Sequence, residues 1–149
     1  MLALIQRVTQ AEVVVDSRSL GAIGPGLLVF VGVERGDVQA TSTRLYERVS
    51  GYRVFPDAQD RMNLSVTQAG GQLLLVPQFT LPADTRKGMR PSLSTAAAPA
   101  EAERLFEHFV ETARAAGQQP QTGRFRSHMQ VSLVNDGPVT FMLRVAPPA

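Results

Sequence analysis

The sequence predicts a mixed α/β fold of the α+β kind, in which largely antiparallel sheets close toward a barrel and carry two main helices. Short β-branched and apolar runs fill the first and last thirds of the chain, and two stretches between them have apolar residues at helical spacing. The resulting order is strands, helix, strands, helix, strands, which is typical of this fold class. A chain of 149 residues has the commonest size of one domain.

The first third of the chain predicts three strands. Residues 2–8, 12–16 and 27–33 are rich in valine, leucine and isoleucine, with partial alternation of apolar and polar positions. The segment 21–26 (GAIGPG) lies before a strand and lacks the spacing of a dinucleotide-binding loop, so we expect it to form a turn.

The first helix is predicted over 37–50, because Val38, Thr41, Leu45 and Val49 recur at helical spacing and Asp37 is a suitable N-cap. Short strands follow at 52–55 and 63–66. After Gly70-Gly71 comes the run LLLVPQFTL, which is apolar enough to be a buried strand.

A polar segment at 82–98 carries Arg86, Lys87 and Arg90, and a loop of this length in a compact domain is usually functional. The second helix is predicted from Pro99 to about Ala116. Its apolar face consists of Ala102, Leu105, Phe106, Phe109, Val110 and Ala113. His108 lies off that face and is expected to be solvated.

The last third predicts a hairpin. The runs MQVSLVN and VTFMLRV flank Asp136-Gly137-Pro138, and a tight Asp-Gly connection commonly joins two antiparallel strands. Residues 146–149 contain two prolines and are expected to form a loose tail of the single domain.

Composition excludes several classes of protein. The chain has no cysteine, so disulfides and thiolate chemistry are absent. Neither a signal-peptide pattern nor a long apolar run is present, which predicts a cytoplasmic protein without a membrane span. Lys87 is the only lysine among the 15 basic residues. This arginine bias is compatible with RNA binding, but a net charge of +2 equally suits an ordinary surface.

Conventional catalytic machinery is missing from the sequence. The only histidines are His108 and His128, and no serine lies in a nucleophile elbow. The pattern contains neither a metal signature nor a nucleotide-binding loop, so we expect no metal and no cofactor.

Two short segments stand out. Gln78-Phe79-Thr80 places an amide and a hydroxyl at the end of an apolar run, where backbone hydrogen bonding is the simplest explanation. Gly137-Pro138 occupies the tip of the expected hairpin, and the general preference of X-Pro bonds favours the trans isomer there.

Taken together, these segments resemble the D-aminoacyl-tRNA deacylase family, which carries the motifs Ser-Gln-Phe-Thr-Leu and Asn-Asp-Gly-Pro-Val-Thr. This chain has PQFTL at 77–81 and NDGPVT at 135–140. Further similar blocks are ALIQRV at 3–8, GYRVF at 51–55, GMRPS at 88–92, TGRF at 122–125 and MQVSL at 129–133. The resemblance spans nearly the whole chain, with Pro77 in place of the family's serine.

The resemblance implies an editing hydrolase that cleaves the ester bond of D-aminoacyl-tRNA. It implies catalysis assisted by a ribose hydroxyl of the RNA, with the backbone N–H groups of Phe79 and Thr80 holding the carbonyl oxygen and Gln78 beside them. Thr80 is a rival nucleophile, although no base lies near it in sequence.

The resemblance further implies a homodimer in which a cis Gly137-Pro138 reaches into the partner's site and excludes L-amino acids, so that glycyl-tRNA is also cleaved. Arg7 resembles the arginine that holds this dipeptide. Phe125 and Met129 resemble pocket residues near the terminal adenosine, while core packing explains them nearly as well. Two alternatives stay open, a non-catalytic RNA-binding module and a related deacylase of certain L-aminoacyl-tRNAs.

Overall fold

The computed structural model describes residues 1–149, which form eight strands and two helices. The elements are β1 (Leu2–Val15), β2 (Arg18–Ile23), β3 (Gly26–Gly32), α1 (Gln39–Gly51), β4 (Phe55–Pro56), β5 (Met62–Leu64), β6 (Gln72–Pro77), α2 (Pro99–Ala115), β7 (Gln121–Thr122) and β8 (Gln130–Arg144). The predicted fold class is confirmed, since the sheet is largely antiparallel, nearly closes on itself and carries two helices.

The long strand β1 organises the sheet. Strands β2 and β3 lie end to end along one of its edges in the same antiparallel register, so that Ala11 pairs with Ile23 and Val8 with Gly26. The expected turn over 21–26 is therefore wrong for residues 21–23, which lie within β2, and only the Gly24-Pro25 step interrupts the pairing. Strand β6 then pairs parallel to β3, and β7 pairs parallel to β6.

The two faces of this sheet bury separate apolar clusters. On β6, Leu73 and Leu75 pack with α1 and α2, whereas Leu74 and Val76 pack on the opposite face. Strands covered on both faces read as continuous apolar runs, which explains the sequence LLLV. The buried face of α2 consists of the six residues that the periodicity predicts.

Two local expectations are corrected by the structure. Asp37 is not the N-cap of α1, because its carboxylate accepts hydrogen bonds from the Met1 ammonium at 2.9 Å and from the Glu34 N–H at 2.7 Å. Val38 takes the N-cap position instead. His108 is half-buried, and its Nδ1 is enclosed without a partner.

The carboxylates of Glu34 and Asp37 both bind the Met1 ammonium at the start of β1, but their pKa values shift in opposite directions. Burial acts to raise the pKa of Glu34, but hydrogen bonds from Arg144 and the Met1 ammonium outweigh it and lower the value. For Asp37 burial prevails and the pKa is raised.

The largest correction concerns β8, which is one continuous strand and not a hairpin. Its residues 130–135 and 140–144 both pair antiparallel with β1, on the edge opposite β2 and β3. Between them, residues 136–139 bulge out where β1 presents only Arg7. Neither helix has the length and apolar character needed to cross a membrane.

Candidate active site

A cavity of about 560 Å³ opens at the carboxyl end of β6. Its size suits a small-molecule or nucleoside ligand. The walls are apolar with a few polar groups, and the lining residues are Phe30, Val76, Pro77, Gln78, Phe79, Pro99, Phe125, Arg126, Ser127, His128, Met129 and Val131. The cavity thus unites four residues singled out from the sequence, Gln78, Phe79, Phe125 and Met129.

The strand β6 ends in a tight turn at the rim of this cavity. The Gln78 N–H donates to the carbonyl of Val31 at 2.8 Å, which extends the pairing with β3 by one residue. The Leu81 N–H then donates back to the carbonyl of Gln78 at 3.2 Å. This hydrogen bond closes a β-turn that places Phe79 and Thr80 at its two central positions.

The backbone N–H groups of Phe79 and Thr80 donate to no protein atom. Both residues are exposed, and Phe79 lines the cavity. Unpaired neighbouring N–H groups at the mouth of an apolar cavity can bind an oxygen on which negative charge develops. This pair of donors is the strongest chemical feature of the site.

The side chain of Gln78 holds the side chain of Thr80. Its Nε2 donates a hydrogen bond of 2.6 Å to Thr80 Oγ1. An amide N–H cannot accept the hydroxyl proton, so this contact positions Thr80 without activating it as a nucleophile. No other side chain bonds to the hydroxyl.

Phe125 and Met129 combine a position at the cavity with packing against the core. Each lines the cavity, while Phe125 packs against the helix-side core and Met129 against the opposite cluster. Gly123 permits this approach, because an added Cβ would lie 2.8 Å from Met129 Sδ and 3.2 Å from Pro77 Cδ. Pro77 itself is buried and forms part of the cavity wall.

The polar loop at 82–98 is fastened near the site. Asp84 and Ser92 pair through reciprocal backbone hydrogen bonds of 2.8 and 2.9 Å. Within the loop, hydrogen bonds from the Arg86 guanidinium and backbone lower the pKa of Asp84 well below its usual value. Arg86 is thereby paired, whereas Lys87 and Arg90 are exposed and have no ionic partner.

The β8 bulge presents Gly137 and Pro138 at its tip. Both are exposed, and the peptide bond between them is cis. Gly137 has φ +138°, and an added Cβ would lie 2.6 Å from Val139 Cγ2, so a glycine is required here. Neither residue lines the cavity of its own chain.

Arg7 fastens one side of the bulge. Its Nε donates to the Asp136 carbonyl at 3.1 Å and its Nη1 to the Val54 carbonyl at 2.7 Å. Nε also lies 3.4 Å from Asp136 Oδ2. The contact is therefore with the residue before the dipeptide, and not with the carbonyls of Gly137 and Pro138.

Sequence reasoning missed Asn135, which fastens the neck of the bulge. Its Nδ2 donates to the carbonyls of Arg7 at 2.8 Å and Val139 at 3.0 Å. It also missed Phe30 on β3, and Arg126 and His128 in the segment before β8, which all line the cavity. Only the left-handed backbone of Arg126 marks it as unusual, and the sequence pattern does not reveal that conformation.

Comparison with known proteins agrees with these observations. The chain matches the family D-Tyr-tRNA(Tyr) deacylase over residues 4–144. D-aminoacyl-tRNA deacylases of Photorhabdus laumondii and Cronobacter sakazakii are 60% and 59% identical over 145 residues, which cover 97% of this chain and all of each relative.

Two solved structures share the fold. The c-Myc DNA unwinding element binding protein superposes with a TM-score of 0.93 at 34% identity, with 100% of both chains covered. A probable eukaryotic D-amino acid tRNA deacylase superposes with a TM-score of 0.81 at 16% identity, covering 97% of this chain and 98% of that one.

These matches define the class of the protein as a hydrolase, built on the deacylase fold. The chain belongs to the D-Tyr-tRNA(Tyr) deacylase family and is an enzyme.

Proposed function

We propose that this enzyme hydrolyses the ester bond of D-aminoacyl-tRNA and releases free tRNA and the D-amino acid. Family membership and the names of relatives at about 60% identity support this activity. The observation that carries it is the pair of unpaired N–H groups at Phe79 and Thr80 beside an apolar cavity.

The proposed reaction is attack of water on the ester carbonyl. As the carbonyl oxygen becomes negative, the two N–H groups stabilise it. The bond to the ribose oxygen then breaks, and that oxygen leaves as the terminal hydroxyl of the tRNA. A neighbouring free hydroxyl of the same ribose helps to activate the water, so the protein needs no triad.

The cavity would receive the terminal adenosine of the tRNA. Phe125 and Met129 offer apolar surface for the base, because a flat aromatic ring stacks on such side chains. The amino acid would then lie toward Gln78 and Phe79, where the carbonyl can reach the unpaired N–H groups.

Chiral selection is proposed to depend on a homodimer. The Gly137-Pro138 tip does not line its own cavity, and β8 leaves its outer edge unpaired over 15 residues. A partner subunit docked on this edge would insert its tip into the cavity. The backbone of that tip would crowd the side chain of an L-amino acid while leaving room for a D side chain.

This steric account predicts that glycyl-tRNA is also cleaved, since glycine has no side chain to exclude. Complete resistance of glycyl-tRNA at high enzyme concentration would show that the site requires a D side chain.

The decisive experiment follows the release of tyrosine from D- and L-tyrosyl-tRNA by the purified wild type. We expect rapid hydrolysis of the D form and a rate near the uncatalysed one for the L form. Binding of both substrates without hydrolysis would support an RNA-binding module instead, and preferred hydrolysis of an L form would support the L-specific alternative.

A further inference from the structure

Arg126 has an unusual backbone conformation for its residue type. Only four residues other than glycine have positive φ, namely Asp16, Ser17, Asp60 and Arg126. The first three are short polar residues, and each lies in the connection between two paired strands. Arg126, with φ +61°, is the only long side chain among them. The left-handed region is unfavourable for such residues and is often retained at ligand sites.

The position of Arg126 agrees with a binding role. Arg126 is exposed and lines the cavity of the site, and its side chain forms no hydrogen bond or ion pair within the protein. No aspartate or glutamate lines the cavity. Arg126 is therefore the only permanently charged residue that lines the cavity, and its charge favours an anionic group of the ligand.

We propose that Arg126 binds the phosphodiester group on the 5′ side of the terminal nucleoside of the aminoacyl-RNA substrate. This assignment rests on the proposed function. The charged groups at this end of the substrate are the amino acid's ammonium, which is positive, and the phosphodiester, which is negative. The planar guanidinium suits phosphate oxygens and repels the ammonium.

The positive φ of Arg126 is expected to cost the fold some stability. Glycine adopts positive φ without the steric penalty that arginine incurs. Replacing Arg126 with glycine should therefore leave the Tm unchanged or raise it by up to about 3 °C. A residue with a structural role would instead lower the Tm when removed.

The test uses two ligands in which an amide replaces the scissile ester. The first is D-tyrosyl-aminoadenosine, which carries no phosphate, and the second has a cytidine attached through a 5′ phosphodiester. Kd values are measured by calorimetry for the wild type, Arg126→Gly, Arg126→Ala and the control Arg124→Ala. Arg124 is also exposed but lies in a different cleft, along α2.

We expect both Arg126 variants to bind the phosphodiester ligand about tenfold more weakly and the phosphate-free ligand as the wild type does. The salt dependence of phosphodiester binding should fall by about 0.7 in log–log slope, the value for one contact to a single strand. Arg124→Ala should bind both ligands normally.

Equal weakening for both ligands, or none for either, would overturn the phosphate assignment while leaving the deacylase activity intact. So would a marked fall in the Tm of Arg126→Gly. Failure of the wild type to bind either ligand or to hydrolyse D-tyrosyl-tRNA would instead overturn the proposed function, and this inference with it.

Discussion

The side-chain amide of Asn135 donates a 2.8 Å hydrogen bond to the main-chain carbonyl of Arg7, at the place where β8 leaves its pairing with β1. The same Nδ2 donates to the Val139 carbonyl on the far side of the bulge, so one side chain spans its neck. Thr140 adds a weaker 3.4 Å hydrogen bond to Asn135 Oδ1.

Replacing Asn135 with aspartate should loosen the bulge, because a carboxylate cannot donate to the two carbonyls. We expect faster amide hydrogen exchange over residues 136–139 and a D/L rate ratio lowered at least tenfold. Asn63→Asp is the matched control, since Asn63 lies on β5, where its side chain contacts Arg53 at 3.3 Å and the Asp57 carboxylate and not the bulge. An Asn135→Asp enzyme with the exchange and selectivity of the wild type would remove Asn135 from this role.

Arg7→Ala should lower chiral discrimination more than stability. Its guanidinium joins the Asp136 and Val54 carbonyls, so its loss frees one side of the bulge. Steric exclusion worth about 3 kcal/mol corresponds to more than a hundredfold in relative rate, and partial loss of it is readily measured. The rates of D- and L-tyrosyl-tRNA deacylation would be measured for Arg7→Ala and for Arg7→Lys, which keeps the positive charge but lacks the planar guanidinium. An unchanged D/L ratio in Arg7→Ala would leave Arg7 an ordinary structural arginine.

The difference between the predicted hairpin and the observed bulged strand β8 shows where sequence reasoning fails. Asp136-Gly137-Pro138 has the composition of a hairpin turn, and local propensity does not distinguish a turn from a bulge. The segment forms a bulge because β1, more than a hundred residues away in the sequence, pairs with both halves of β8. In contrast, the face of α2 follows from periodicity alone and was predicted residue by residue.

The candidate site likewise contains residues that the sequence identified and residues that only the folded chain brings to the cavity. The motif identified Gln78, Phe79 and Thr80, but their unpaired N–H groups depend on the turn that Leu81 closes. Arg126 and His128 reach the cavity because the segment before β8 folds across the end of β6. No local pattern in the sequence contains that long-range contact.

The variants Phe79→Pro and Phe79→Ala separate the backbone N–H from the phenyl ring. Both remove the ring, but only proline removes the N–H, and proline is well accommodated at the first central position of a β-turn. Phe79→Pro should lose about 10²–10³-fold in kcat, as expected for one lost oxyanion donor. The two variants would be compared by the single-turnover rate of D-tyrosyl-tRNA hydrolysis at saturating enzyme concentration. Equal rates for the two variants would argue against a catalytic role of this N–H.

Thr80→Ala should retain most of the activity, within about tenfold, because it keeps the backbone N–H and loses only a hydroxyl held by Gln78. Removal of a true nucleophile costs many thousandfold in comparable enzymes. The rate of D-tyrosyl-tRNA hydrolysis under single-turnover conditions decides between the two. A loss of many thousandfold, well beyond that expected for one hydrogen-bond donor, in a variant with the wild-type Tm would identify Thr80 as the nucleophile.

Replacing exposed apolar residues of β8 with glutamate should dissociate the proposed dimer and, as a consequence, abolish chiral selection. Val134 and Met142 are 47% and 51% exposed on this edge strand, and a long apolar edge is a natural site for pairing with another chain. We expect light scattering to give the single-chain mass of 16.1 kDa for Val134→Glu and Met142→Glu, and twice that mass for the wild type if the proposed dimer forms.

Met62→Glu is the matched control for this prediction, because Met62 is 53% exposed on β5, which pairs with β4 and not with β8. It should remain dimeric and selective. The monomeric variants should lose the partner's Gly137-Pro138 tip from their cavity, so L-tyrosyl-tRNA would no longer be excluded by it. Equal folding would be verified by circular dichroism before the rates are compared. A monomeric variant that still rejects L-tyrosyl-tRNA as the wild type does would show that each chain selects chirality with its own residues.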